Sequence, residues 1–262
     1  MEFADFLPSL AAIAGIIFVL WGISLAIRDV SIVDIFWGLG FVFIAWFSQW
    51  MAGHSSTRTM LLVMMVTIWG ARLGIYLGRR NWGKKEDYRY AAMREKHGSA
   101  FPIVSLVTVF SLQGLLMWFI SMPIQVAILK SIPWHPVVWF GVIVWSIGLF
   151  FESVGDYQLA RFKSDPSNQG KVMDRGLWHY TRHPNYFGDF CVWWGFYLTA
   201  VESGSWWWTI LSPILMTFLL LRVSGVRLLE NSLRSRVDGY DEYARITSPF
   251  FPLPRSKSSA SS

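Results

Sequence analysis

Leu7-Pro8-Ser9-Leu10-Ala11-Ala12-Ile13-Ala14-Gly15-Ile16-Ile17-Phe18-Val19-Leu20-Trp21-Gly22-Ile23-Ser24-Leu25-Ala26-Ile27 runs 21 residues without a charged side chain. A hydrocarbon core about 30 Å thick is crossed by roughly 20 helical residues, so this stretch predicts a membrane-spanning helix. Runs of similar character recur near 31–51, 59–78, 102–129, 137–156, 186–202 and 206–228. The fourth is overlong and holds Pro123, which predicts a kink or a loop within it. All seven are expected to be helices, because an open sheet leaves backbone groups unsatisfied in lipid. The predicted fold class is therefore all-α: a polytopic membrane protein of about seven transmembrane helices.

Composition points the same way. Only 15% of the 262 residues are charged and 53% are hydrophobic, against roughly 25% charged in a soluble domain. That excludes a soluble enzyme, a disordered regulator and an ordinary nucleic-acid binder. One cysteine, Cys191, excludes an internal disulfide and a Cys-based zinc site. Met1-Glu2-Phe3-Ala4-Asp5 lacks the basic start of a cleaved signal peptide, so the first segment is expected to remain as an anchor. Residues 1–254 read as one integral-membrane helical domain, and 255–262 as a low-complexity, disordered tail.

The formal charge of +6 is explained by its placement. Nineteen Lys and Arg fall at Arg28, in 79–96, in 161–182 and after the last span; Arg58 and Lys130 stand alone on the other side. By the positive-inside rule the N-terminus lies outside and the C-terminus in the cytoplasm, and a bacterial inner membrane is the expected location. No nucleic-acid partner is needed to account for the charge; membrane lipids are the expected surroundings.

Ionisable residues inside spans are costly and point by default to function. Asp34, Arg72, Glu152, Asp156, Asp189 and Arg222 all fall in the cytoplasmic half of that topology, which suggests a shared polar cavity. Trp69, Arg72, Tyr76 and Arg80 follow at three- and four-residue steps and share a helix face. Capping, snorkelling and structural pairing are the alternatives for any one of them. The densest signal is Gly176-Leu177-Trp178-His179-Tyr180-Thr181-Arg182-His183-Pro184-Asn185-Tyr186-Phe187-Gly188-Asp189. Pro184 suits the first position of a helix, whose free N–H groups beside Arg182 and His183 would form an anion site suited to phosphate. His179 and His183 have metal-ligand spacing, but Pro184 interrupts the helix and no third ligand is at hand, so no metal is expected.

At this segment the sequence resembles the steroid 5α-reductase-like membrane oxidoreductases, and more closely their mostly bacterial branch of unknown function. The matching elements are Asp34-Ile35-Phe36-Trp37-Gly38, Arg72-Leu73-Gly74-Ile75-Tyr76-Leu77, Glu86-Asp87-Tyr88-Arg89-Tyr90, the segment from Gly176 to Asp189, and Ser248-Pro249-Phe250-Phe251-Pro252. The resemblance covers nearly the whole chain. It implies seven helices around NADPH entered from the cytoplasm, and hydride addition to an activated C=C of a lipid-like substrate, a steroid, sterol or isoprenoid. By the same resemblance Arg72, Tyr76, Asp156, Asn185 and Asp189 match cofactor-contacting positions, and Lys163 falls near a basic position that suits a phosphate; Arg80, Arg182, His183 and Tyr186 are further cofactor-binding candidates, and Glu152 and Glu230 stand where the family's pattern differs. Asp34 stands where a carboxylate and a tyrosine polarise the substrate carbonyl. The tyrosine's position holds Trp69, whose indole donates a hydrogen bond but gives up no proton.

Two other readings stay open from the residues. Arg182-His183-Pro184-x-Tyr186-x-Gly188 with Glu230 also resembles isoprenylcysteine carboxyl methyltransferases, which implies S-adenosylmethionine as cofactor and a lipid or isoprenyl acceptor. The third reading is a non-catalytic lipid-binding protein on the same fold.

Overall fold

The computed structural model describes residues 2–130, 134–201, 204–223, 230, 233, 234 and 236–255. Among these every regular element is helical. The chain divides into two compact units, one of Met1–Trp134 with Ala200–Thr209 and one of His135–Thr199 with Ile210–Ser262.

The first unit opens with α1 (Leu7–Ile27), α2 (Ile32–Ala52) and α3 (Thr57–Asn81). Ser56 starts α3 with a reciprocal cap, its hydroxyl accepting from the Thr59 N–H at 3.2 Å while its own N–H donates to the Thr59 hydroxyl at 3.1 Å. Two arginines, Arg79 and Arg80, close the same helix, where cations oppose the negative end of its dipole. A short α4 (Tyr88–His97) follows, then α5 (Phe101–Ser105), a π-helical stretch Leu106–Ser111 and α6 (Leu112–Ile120). Ser121 interrupts the run, and Pro123 sits in the first turn of α7 (Met122–Leu129). The break expected of Pro123 is thus real. It leaves a buried polar knot in which the Ser9 hydroxyl donates to Gln125 at 2.6 Å and Gln125 donates to the Ser121 hydroxyl at 2.8 Å. Most buried polar groups find such a partner.

The close fit of α2 on α3 depends on Gly38 and Gly70. A Cβ on Gly38 would lie 2.5 Å from the Gly70 carbonyl oxygen, so no side chain fits at that crossing.

The second unit is built on α8 (Val137–Ser164) and α9 (Pro184–Ala200). Gly141, Gly148 and Gly155 recur every seven residues on α8, and Gly188 and Gly195 do so on α9. A Cβ on Gly148 would stand 2.5 Å from the Gly188 carbonyl oxygen, and one on Gly195 would stand 2.7 Å from the Trp145 nitrogen. The two backbones therefore touch along a seam of bare glycine, with Cys191 buried beside it. The unit continues with α11 (Leu211–Phe218), a π-helical stretch Leu219–Val223 and α12 (Tyr240–Ile246); α10 (Trp206–Thr209) belongs to the first unit.

Five helical stretches, Phe3–Ile27, Ile32–Ala52, Thr57–Asn81, Tyr88–Ile120 and Val137–Ser164, are long and apolar enough to cross a membrane. Of the two remaining expected spans, α9 has 17 residues, and Trp207–Val223 is a shorter apolar helix. Residues 224–228 of the seventh expected span and 256–262 of the expected disordered tail lie outside the described residues. The apolar surface is that of a membrane protein. On α1, Phe18, Val19, Ile23 and Ile27 are all exposed, a continuous patch that water would not tolerate.

Candidate functional site

The residues singled out by sequence fall into two clusters, one in each unit. In the first unit, Asp34 sits in the first turn of α2. Its Oδ1 accepts from the Tyr90 hydroxyl at 2.9 Å, and its Oδ2 lies 3.4 Å from the Arg89 guanidinium. Gln113 donates to the same Tyr90 oxygen at 3.4 Å. Tyr90 is 7% exposed, and the Arg89 guanidinium lies over its ring at 5.3 Å. A carboxylate, a phenol, an amide and a guanidinium thus converge on one point.

The short helix α4 delivers Arg89 and Tyr90, and the loop before it is latched. Asp87 caps α4 through the Arg89 N–H at 3.0 Å, and its own N–H donates to the Ser31 hydroxyl at 2.8 Å. Glu86 accepts from the Val30 N–H at 2.9 Å and is paired with Arg94 at 2.7 Å. Burial alone would raise the Glu86 carboxyl, but the Arg94 pair and the Val30 N–H hold it below the usual range. The acidic motif therefore pairs its own charges and also ties α4 to the start of α2.

On α3, the Arg72 and Arg80 guanidinium groups lie 5.9 and 6.0 Å from the Tyr76 ring centre. The expected shared face of these three residues is present. Trp69, one turn earlier, is completely buried, with its ring 5.7 Å from Phe41.

In the second unit, α9 begins at Pro184, as that proline predicts. Around its entrance the Tyr186 N–H donates to the Asn185 side chain at 3.1 Å and the Arg182 N–H, two residues before the helix, to the Ser248 carbonyl at 2.9 Å. The Asn185 amide donates to Asp156 at 3.1 Å, which joins α9 to α8 beside the buried Glu152. Asp189 is half-buried one turn further along, and Arg222 is exposed. Glu230 takes both His183 Nε2 at 3.1 Å and Arg182 Nε at 3.2 Å on one oxygen, while the His183 ring stacks on Tyr186 at 5.4 Å. Asp34 and Arg72 thus belong to the first unit, and Glu152, Asp156, Asp189 and Arg222 to the second.

Behind Arg182 the second unit holds a cavity of about 490 Å³. Lys163, at the end of α8, and Arg182 line it together with Trp178, Tyr240 and Tyr243. A strap of chain is pinned to the segment before Arg182: the Leu253 N–H donates to the Tyr180 carbonyl at 3.0 Å, and the Thr181 hydroxyl to the Phe250 carbonyl at 2.8 Å. Sequence reading missed Tyr90's partnership with Asp34 and the aromatic wall of the cavity. The three- and four-residue steps from Asp87 to Tyr90 to Arg94 put Tyr90 on a helix face but did not place it against Asp34. Nothing local marked the second.

The His183 and Glu230 pair sets a pH dependence. Burial holds the His183 imidazole below its ordinary value, against the opposing pull of Glu230. Burial pushes Glu230 up, but the His183 bond and the Arg182 charge bring it below the usual carboxylate range. Below about pH 6.5 the unfolded chain takes up a proton that folded His183 refuses, so stability falls with pH at up to about 1.4 kcal/mol per unit. Below the ordinary glutamate range, Glu230 adds a loss of the same sign. Thermal melts of detergent-purified protein from about pH 7.5 to about pH 5, a range that brackets the ordinary histidine value, are expected to show it. His183→Gln should flatten the upper part of that profile; an unchanged slope would contradict the assignment.

A family model described as a protein of unknown function, DUF1295, matches residues 20–247. An uncharacterized protein of Schizosaccharomyces pombe, C594.04c, is 26% identical over 89% of this chain and 76% of its own length. A second from the same yeast, C9.08c, is 33% identical over 33% of this chain and 38% of its own. No solved structure matches.

Proposed function

The chain belongs to the DUF1295 family, and from that premise we propose that it is an NADPH-dependent membrane reductase of the steroid 5α-reductase-like kind, acting on an activated C=C bond of a lipid-like substrate. The observation that carries the reading is the hydrogen bond from Tyr90 to Asp34. By resemblance the tyrosine's position holds Trp69, whose indole gives up no proton, which left Asp34 as the candidate donor. The fold supplies a phenol from a different helix.

When bound, NADPH supplies the hydride that reduces the C=C bond. Negative charge then builds on the carbonyl oxygen conjugated to that bond, and a positioned donor there lowers the barrier. Tyr90 would supply that hydrogen bond and then the proton, its one hydroxyl hydrogen passing from Asp34 to the substrate oxygen. Asp34 and Gln113 hold the phenol oxygen in place. The Arg89 cation over the ring favours the charge that Tyr90 acquires as the proton leaves. Arg72, Tyr76 and Arg80, in the same unit as Tyr90, are assigned to the cofactor by resemblance.

The proposal includes the topology that the charges support: seven crossings, the N-terminus outside and the C-terminus in the cytoplasm, in a bacterium the inner membrane. A methyltransferase is the second reading, favoured by the meeting of Arg182, His183 and Glu230 on one carboxylate oxygen. Those contacts neutralise Glu230, however, which makes it a poorer partner for a sulfonium cation.

Calorimetry on the detergent-purified protein tests the choice. NADPH is expected to bind more tightly than NADH, and S-adenosylmethionine to give no heat. Enone-bearing steroids and isoprenoids should then drive loss of reduced nicotinamide absorbance. Heat from S-adenosylmethionine with none from NADPH would overturn the reductase in favour of the second reading.

A further inference from the structure

One face of α3 is open to lipid, and its character changes along its length. Met64, Ile68 and Ile75 are exposed and, at steps of four and seven residues, lie on one line of the helix. Further steps of four and three carry that line to Arg79 and Trp82, both exposed. Residues suited to hydrocarbon thus give way to a cation and an indole within two turns. The helix has 25 residues, which at a rise of about 1.5 Å each is about 37 Å, so its end projects past a hydrocarbon layer about 30 Å thick. Trp82 is 88% exposed, a poor position for an indole in water and a common one at the headgroup level of a bilayer.

The chain then turns back on this point. Trp82 has φ −54° and ψ 127°, Gly83 has φ 69°, and the Lys84 N–H donates to the Asn81 carbonyl at 3.0 Å. That is a type II turn with glycine where the left-handed residue must stand, and it holds the Lys84 and Asn81 Cα atoms within about 7 Å. Arg79, Arg80, Lys84 and Lys85 are thereby gathered at one end of the helix. The acids that follow do not neutralise them: Glu86 is paired with Arg94 at 2.7 Å and Asp87 with Arg89 at 2.9 Å. Arg80 is engaged by the Asn81 side chain at 3.2 Å and by the Tyr76 ring. Among the described residues, Arg79, Lys84 and Lys85 have no side-chain hydrogen bond or ion pair, and all three are exposed. The positive-inside rule accounts for charge in this loop, but for neither the apolar line that leads into it nor the turn that gathers it.

We infer that the end of α3 docks one anionic phospholipid of the surrounding leaflet, its acyl chain along Met64, Ile68 and Ile75, its phosphate among Arg79, Lys84 and Lys85, and Trp82 at the headgroup level. A zwitterionic headgroup fits less well, since its ammonium would face the same three cations. The site stands whether or not the protein is a reductase; failure of NADPH to bind leaves it untouched.

The test titrates the full chain in detergent with palmitoyl-oleoyl phosphatidylglycerol, or with phosphatidylcholine of the same chains, and reads binding by native mass spectrometry and stabilisation by thermal melts. Phosphatidylglycerol is expected to bind about 10-fold more tightly at low salt, a margin that shrinks as salt is raised. Each cation near an anionic surface is worth about 5-fold, so Arg79→Gln with Lys84→Gln and Lys85→Gln should erase the preference while melting like the parent in lipid-free detergent. Lys96→Gln with Arg161→Gln and Arg175→Gln removes the same charge from other exposed positions and should leave the preference intact. If both triple variants lose it equally, net charge is the cause and the docking site is refuted. It is refuted also if the parent shows no preference at low salt, or if soluble glycerol 3-phosphate binds as tightly as the lipid, since the apolar line would then contribute nothing.

Discussion

Tyr90→Phe is expected to lower kcat by about 10²- to 10³-fold with NADPH affinity unchanged, the usual span for loss of a positioned proton donor. The substitution removes one oxygen from a residue that is otherwise packed, so folded yield should stay close to the parent's. Asp34→Asn removes the acceptor that orients the phenol and should cost a comparable factor. Because the two groups act as a unit, the double variant should be scarcely worse than either alone. Trp69→Phe serves as the control: its ring packs on Phe41, and the cost should appear in melting temperature and leave kcat within a few-fold (an order-of-magnitude expectation for a core change). A Tyr90→Phe enzyme of parental kcat would remove the hydroxyl from the chemistry.

The second large effect is structural. Gly188→Leu and Gly148→Leu each put a side chain where the opposing backbone stands; a Cβ at Gly148 already comes within 2.5 Å of the Gly188 carbonyl and 2.6 Å of the Val192 nitrogen. Neither contact is with a flexible side-chain tip, so the helices must separate. Overpacking of this kind costs about 1–3 kcal/mol or more, a large share of the roughly 5–15 kcal/mol that holds a domain together. Separation would also pull Asn185 from Asp156, a bond made across the same seam. Loss of monodisperse protein on size-exclusion chromatography is the expected result. Gly15→Leu is the matched control, since a Cβ there meets nothing within 4 Å; equal damage from it would refute the seam's importance.

The helical fold was legible in the sequence because lipid imposes a strong rule: long apolar runs must be helices, and 7–27 and 137–156 are such runs. Pro184 as a helix start and the Arg72, Tyr76 and Arg80 face were also readable, since both depend on local geometry. The partner of Asp34 was not. Tyr90 is 56 residues away, and it reaches Asp34 only because α4 is latched by Glu86 and Asp87. Likewise the cavity joins Phe162, Trp178 and Tyr240, separated by intervals that carry no periodic signature. The glycine seam was present as seven-residue spacing, but its meaning appears only when both helices are in register.

The strap described near Tyr180 also imposes an order on biogenesis. Arg182 leaves the ribosome well before Ser248, whose carbonyl receives its N–H; at about 5–20 residues per second the wait lasts on the order of several seconds. During that interval the Arg182 N–H and the Thr181 hydroxyl lack the acceptors that Ser248 and Phe250 later supply. Pinning of the Arg182 segment is therefore a late event, and a nascent chain stalled before residue 248 would leave both donors without these partners.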